Sequence, residues 1–174
     1  MSKVEQAGQI IDRNRDISHL NSHPQLRRYV ECFLETFIVK GLIDPRLRQL
    51  AILRIAWRCR QPYEWAQHYS RARQAGVSDE EILAIRSTCP AQDLQAPVQL
   101  VVIAADEVVD LGFLTPNTYQ RCKALFIEPG LVHEFLHLVA GYRMMATILN
   151  TTLPSVEAAG LAFWPPDGVA PEGV

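Results

Sequence analysis

The chain has 174 residues, of which 48% are hydrophobic and 21% charged, with a net charge of −2. That length and balance suit one soluble globular domain spanning 1–174, able to bury roughly 70% of its unfolded surface. No run of Lys and Arg offers a nucleic-acid interface, and no apolar run reaches the ~18 residues of a membrane span. The polar, mixed-charge start (MSKVEQAGQIIDRNRD) is not a signal peptide, so a cytoplasmic location is expected. The four cysteines, Cys32, Cys59, Cys89 and Cys122, are far apart and form no CxxC pair, which speaks against a disulfide scaffold or a zinc knuckle.

Helical signals run along the whole chain. The first is a helix predicted over 25–40. Asp44-Pro45 pairs an N-cap with proline at the first helical position and predicts a helix over 45–58. Next comes 62–75, then 79–88, introduced by Ser78 and Glu81 as a capping box. Helices over 95–111, 116–126 (after Thr115-Pro116) and 130–149 complete the series. Gly41, Gly76 and Gly112 fall where C-caps are expected. The first twenty residues leave room for one more helix. No segment alternates as a strand does, so the fold class is all-α, with its core about 25–150. The tail 163–174, FWPPDGVAPEGV, cannot be helical, and Phe163 and Trp164 are expected to dock on this chain or on a neighbouring subunit.

The most informative stretch is 47–76. On the helix that starts at Pro62, Glu64 and His68 lie four residues apart and share a face with Gln61 and Arg71. A carboxylate beside an imidazole suits acid–base chemistry; the plainer reading is a surface pair that stabilises its helix by about a few tenths of a kcal/mol. The neighbouring Tyr63, Trp65 and Tyr69 suggest a partly enclosed helix. Burial would raise the Glu64 pKa and an adjacent imidazolium would lower it again.

RQLAILRIAW, YEWAQH and AGVSDEEI together resemble the carboxymuconolactone decarboxylase and alkylhydroperoxidase D-like superfamily, most strongly over 44–85. HLVAGYRMMATILN is similar to that family's closing helix, and HLNSHPQLRRYVECF to the lead-in of its larger members. The resemblance implies an all-helical bundle that assembles as a homo-oligomer (dimer, trimer or hexamer), with a site between helices.

The peroxidase branch of the superfamily carries CxxC-x3-H and an upstream glutamate. With His68 on that histidine, Gln61 and Glu64 occupy the cysteine positions and Gln49 the glutamate position. Thiol peroxidase chemistry needs a low-pKa thiolate and usually a resolving thiol, and this motif has neither. Cys59, two residues upstream, is left as an atypical peroxidatic candidate. The decarboxylase branch keeps Glu and His at the Glu64 and His68 positions, and the chain looks more like that branch.

The resulting expectation is a cofactor-free lyase, decarboxylase or isomerase acting on a small carboxylated or carbonyl compound. His68 is the proton donor or base, Glu64 its orienting partner, and Tyr63 a hydrogen-bond donor to a developing enolate. Gln49 and Gln61 position the ligand. Arg54, Arg58, Arg71 and Arg143 are candidate carboxylate anchors, with Arg54, set among apolar residues, placed first. A non-catalytic ligand-binding or assembly role is the alternative from another class.

His133-Glu134-Phe135-Leu136-His137 matches HExxH, the zinc-peptidase motif, with Glu157 downstream as a possible third ligand. Against it stand Leu153-Pro154 on the path to Glu157 and the lack of any strand to pair a peptide substrate. The helix also matches one that binds no metal in the family. No metal is expected.

Overall fold

The structure, a computed structural model, describes residues 23–87, 94–152, 155–157 and 159–173. Three sequence readings fall outside those residues: the first twenty positions, Cys89, and the Leu153-Pro154 interruption. The described chain holds seven α-helices and no strand: α1 (Pro24–Leu34), α2 (Pro45–Arg58), α3 (Pro62–Gln74), α4 (Asp79–Ala84), α5 (Ala96–Asp110), α6 (Pro116–Leu125) and α7 (Pro129–Thr152). None of these helices is long and apolar enough to cross a membrane.

The starts follow local chemistry. Asp44 accepts from the Leu47 amide at 3.0 Å, and Thr115 from Thr118 at 3.3 Å, each with proline directly behind it. Ser78 and Glu81 form both halves of the capping box. Gly76 and Gly112 end their helices at φ +81 each, the left-handed conformation glycine adopts without a Cβ penalty. Gly41 is needed for a different reason. A Cβ there would lie 2.5 Å from Phe37 O and 2.9 Å from both Arg48 Nη1 and Glu134 Oε1.

The helix predicted over 25–40 is α-helical only to Leu34. It widens into a π-helical turn over Glu35–Val39, in which the Lys40 amide donates to Glu35 O at 2.9 Å. The helix predicted over 79–88 is shorter, ending at Ala84, and α7 runs to Thr152.

α2 is the hub. Every residue from Arg48 to Ala56 is buried, as expected of a helix enclosed on all sides, and α2 packs on α3, α5 and α7. One face (Ala51, Ile52, Ile55) joins Phe33, Val101, Phe135, Leu138 and Val139 in the larger core. The other (Leu50, Leu53, Ala56) joins Trp65, Ile82, Ile85, Val102 and Trp164. The C-terminal segment closes that second core. Trp164 is fully buried against Trp57 and Trp65, and Trp65 Nε1 donates to Pro165 O at 2.6 Å, so the tail docks on its own chain.

Candidate functional site

α3 begins at Gln61, whose side-chain oxygen accepts from the Tyr63 amide at 2.7 Å and the Glu64 amide at 3.1 Å. Its amide nitrogen donates to Asn150 Oδ1 at 3.2 Å, and Asn150 in turn donates to Cys59 O at 2.7 Å. Gln61 is therefore the cap that fixes the start of α3 against α7, and its side-chain groups are engaged there rather than turned toward a ligand.

From that cap, α3 presents Glu64, Gln67, His68 and Arg71 along one face. Val30, Phe33 and Leu34 of α1 and Tyr142, Met145 and Leu149 of α7 close a cavity of about 60 Å³ over it. Glu64 is 4% exposed and His68 3%. Glu64 and His68 line this cavity together, as their helical spacing implies.

The pair is wired differently from the sequence-based expectation. His68 Nδ1 lies 2.7 Å from Gln49 Oε1, so Gln49 on α2 is the orienting partner, a role expected of Glu64. Arg71 Nη1 lies 3.4 Å from His68 Nε2. A guanidinium only donates, so Nε2 must carry its lone pair and Nδ1 its hydrogen, which Gln49 Oε1 accepts. Tyr142 sets its ring edge-on to the imidazole, 5.1 Å between centroids.

Burial pushes the Glu64 carboxyl well above the usual carboxylate range, and no imidazolium opposes it. Burial, then Arg71 and Arg48, push His68 well below the usual imidazole range. Both shifts favour the neutral forms, a carboxylic acid that can donate and an imidazole that can accept. Glu64 Oε2 and the Tyr142 hydroxyl are buried with no hydrogen-bond partner, as is Arg48 Nε behind them. Burial also raises the Tyr142 phenol.

Of the four candidate arginines, Arg71 alone lines this cavity among the described residues. Arg54, placed first from sequence, is fully buried elsewhere. Its Nε and Nη2 bind Asp106 at 2.6 and 2.8 Å, and its Nη1 donates to Ile85 O and Ser87 O. A cation on an all-round buried helix has to be paired, and this one holds α5 and the end of α4 to α2. Arg58 pairs with Asp110 and Asp106, and Arg143 donates to Thr147. Tyr63 is not among the residues that line the cavity; it packs in a small cluster with Ala66, Leu149 and Val156, and its hydroxyl accepts from Gln67 at 3.4 Å.

Tyr142 went unnoticed in the sequence. The signal was available: on α7 the buried spacing runs Phe135, Leu138, Val139, Tyr142, Ala146, Leu149, and only Tyr142 carries a hydroxyl into it.

The HExxH residues have other work. Glu134 accepts from the Leu42 amide at 2.9 and 3.1 Å and the Ile43 amide at 3.2 Å, fixing the loop before α2. His137 Nδ1 meets His133 O at 2.7 Å, and its ring stacks on Phe37. No group of three or more His, Cys, Asp or Glu suited to a metal ion occurs among the described residues. Cys59 sits at the C-cap of α2, and burial raises its thiol pKa, the wrong direction for a peroxidatic thiolate.

Residues 24–105, from α1 into α5, match the model of the carboxymuconolactone decarboxylase family. That match, a little under half of the chain, and the all-helical fold together support a likeness to the carboxymuconolactone decarboxylase and alkylhydroperoxidase D-like superfamily. No curated protein and no solved structure matches it. The family match includes Gln49, Glu64, His68 and Arg71 and stops short of Tyr142.

Proposed function

We propose that the protein is a cofactor-free acid–base enzyme, of the lyase, decarboxylase or isomerase type, acting on a small carboxylated or carbonyl compound. The observation carrying this reading is that Glu64 and His68, both shifted by burial toward their neutral forms, face one cavity where the Glu64 Oε2 and Tyr142 hydroxyl lack partners. Buried polar groups are rarely left unsatisfied, and a bound carbonyl or carboxyl oxygen would pair with both.

Arg71 at the rim holds the substrate carboxylate. His68 Nε2 takes a proton from the carbon next to the carbonyl, and that electron pair moves onto the carbonyl oxygen. The Tyr142 hydroxyl donates to the enolate oxygen, the role first expected of Tyr63. In a substrate with a double bond beside that carbon the pair spreads as a dienolate, Glu64 O–H delivers its proton to the far carbon as the carbonyl reforms, and the proton on His68 returns to Glu64 through the cavity. Where a carboxylate leaves as carbon dioxide, its bonding pair forms an enolate, Glu64 O–H protonates the carbon, and a proton taken up from water restores Glu64. Gln49 keeps Nε2 aimed at the substrate. Homo-oligomeric assembly belongs to the same proposal and rests on the family resemblance, and the cytoplasmic location rests on the scattered cysteines.

The test is proton–deuterium exchange and turnover by NMR with a panel of small oxo acids and unsaturated lactone acids. His68→Ala and Glu64→Gln should each lower the rate about 10²–10⁴-fold with the helical circular dichroism unchanged. Wild-type rates in both variants would overturn the assignment. Binding by wild type without exchange or turnover would make the protein a ligand binder.

A further inference from the structure

Phe33 faces two cavities. On its inner side it lines the 60 Å³ cavity of Glu64 and His68; on its outer side it lines a groove of about 470 Å³ between α1 and α7. The ring lies against the backbone of α7 at Gly141, where a Cβ would run into its tip, and packs on Tyr142 and Phe37 at 5.6 and 4.9 Å. Glycine at 141 is thus what permits a single ring to separate the two spaces.

The two volumes are unequal in an informative way. Pockets that hold a small organic ligand measure about 300–1,000 Å³. The inner cavity falls well short and has room for a polar head of a few atoms, whereas the groove lies inside that range. Their linings are also complementary. The inner cavity offers Arg71, Glu64 and the Tyr142 hydroxyl, and Arg71 has no carboxylate partner among the described residues. The groove is walled by Phe33, Phe37, Ala140, Gly141 and Met144, and the Tyr29 hydroxyl at its edge already donates to Met144 sulfur.

The geometry points to one composite site in which the groove is the apolar subsite of the acid–base centre and Phe33 the partition between them. The ligand is then a monocarboxylic acid with an apolar chain or ring of several carbons. Its carboxylate lies at Arg71, and its apolar part passes Phe33 into the groove. This inference rests on the acid–base reading of the inner cavity. Charge complementarity at the inner end favours such an acid over a second copy of the chain as the occupant.

Isothermal titration of the full chain with acetate, butyrate, hexanoate and octanoate tests it. Affinity should rise about fourfold per methylene until the groove is filled. Ala140→Trp, at an exposed position on the groove wall, should bring octanoate down to the butyrate level; Thr36→Trp fills the groove from the opposite wall should the first variant not fold. Arg71→Gln should weaken every acid in the series by a similar factor. A flat series, or a chain-length gain that survives both tryptophans, overturns the groove and leaves the inner site standing. A retained gain with no effect of Arg71→Gln overturns the polar end, and with it the acid–base placement. Absence of all binding overturns both. Sedimentation of the same samples supplies the remaining outcome: if either tryptophan dissociates an oligomer that wild type forms, the groove is a contact between copies and the inference is wrong.

Discussion

Gln49 Oε1 and His68 Nδ1 stand 2.7 Å apart, joining the central helix α2 to the imidazole that faces the cavity. A neutral amide in that place fixes the tautomer without adding charge. Gln49→Glu would put a carboxylate beside the ring and favour the imidazolium. The His68 pKa should rise above that of wild type in an NMR titration, and any base-dependent turnover should move its acid limb to higher pH.

Folding raises the Glu64 pKa above its unfolded value, so between those two values the folded chain keeps a proton the unfolded chain has lost. Stability from this group is therefore full at acid pH and declines as pH climbs from the ordinary carboxylate range toward the folded value. Glutamine has no proton to lose. Glu64→Gln should match wild type in urea unfolding at about pH 4 and become the more stable of the two by about pH 8. The lowered His68 pKa works oppositely, weakening both proteins as pH falls through the ordinary histidine range.

Arg54 and Arg71 separate structure from chemistry. Arg54→Ala leaves Asp106 and two carbonyls without their buried cation and should cost about 3–5 kcal/mol in chemical unfolding. Arg71→Ala, at the cavity rim, should shift stability by less than about 0.5 kcal/mol while raising the KM for a carboxylated substrate.

Tyr142→Phe removes a buried hydroxyl that has no partner in the free protein. Its unfolding midpoint should be equal to or above that of wild type, because no hydrogen bond is lost. Turnover should nevertheless fall about 10²-fold, since an enolate oxygen would lose its donor. Reduced stability in this variant would mean the hydroxyl is already engaged.

Glu134 caps the amides of residues 42 and 43 from a long distance in sequence. Glu134→Ala should cost about 0.5–2 kcal/mol on unfolding, the loss expected for a cap. A chelator should leave the wild-type unfolding curve in place, whereas a catalytic zinc held by His133 and His137 would make that curve metal-dependent.

The helix starts were legible because their causes are local. Asp44 with Pro45, Thr115 with Pro116, and Ser78 with Glu81 each satisfy their own amides within four residues. The face shared by Glu64 and His68 was legible for the same reason, being a matter of helical period. What escaped were side-chain contacts between distant segments. Gln49 is 19 residues from His68, and Arg54 is 52 from Asp106. An arginine among aliphatic residues looks like a buried anchor awaiting a ligand until the helix that brings its aspartate is placed beside it. The π-helical turn at 35–39 has no local marker that we recognise.

The docking of the C-terminal segment has a spectroscopic consequence. Trp57, Trp65 and Trp164 are all the tryptophans the chain possesses, and they touch one another beneath the Arg86 guanidinium, 4.5 and 4.7 Å above the rings of Trp57 and Trp65. The tryptophan emission of the protein thus comes from one cluster, whose Trp65 shares α3 with Glu64 and His68 but does not line their cavity. A red shift on mild denaturation reports undocking of residues 163–173, and ligand entry at the cavity is better followed through Tyr142.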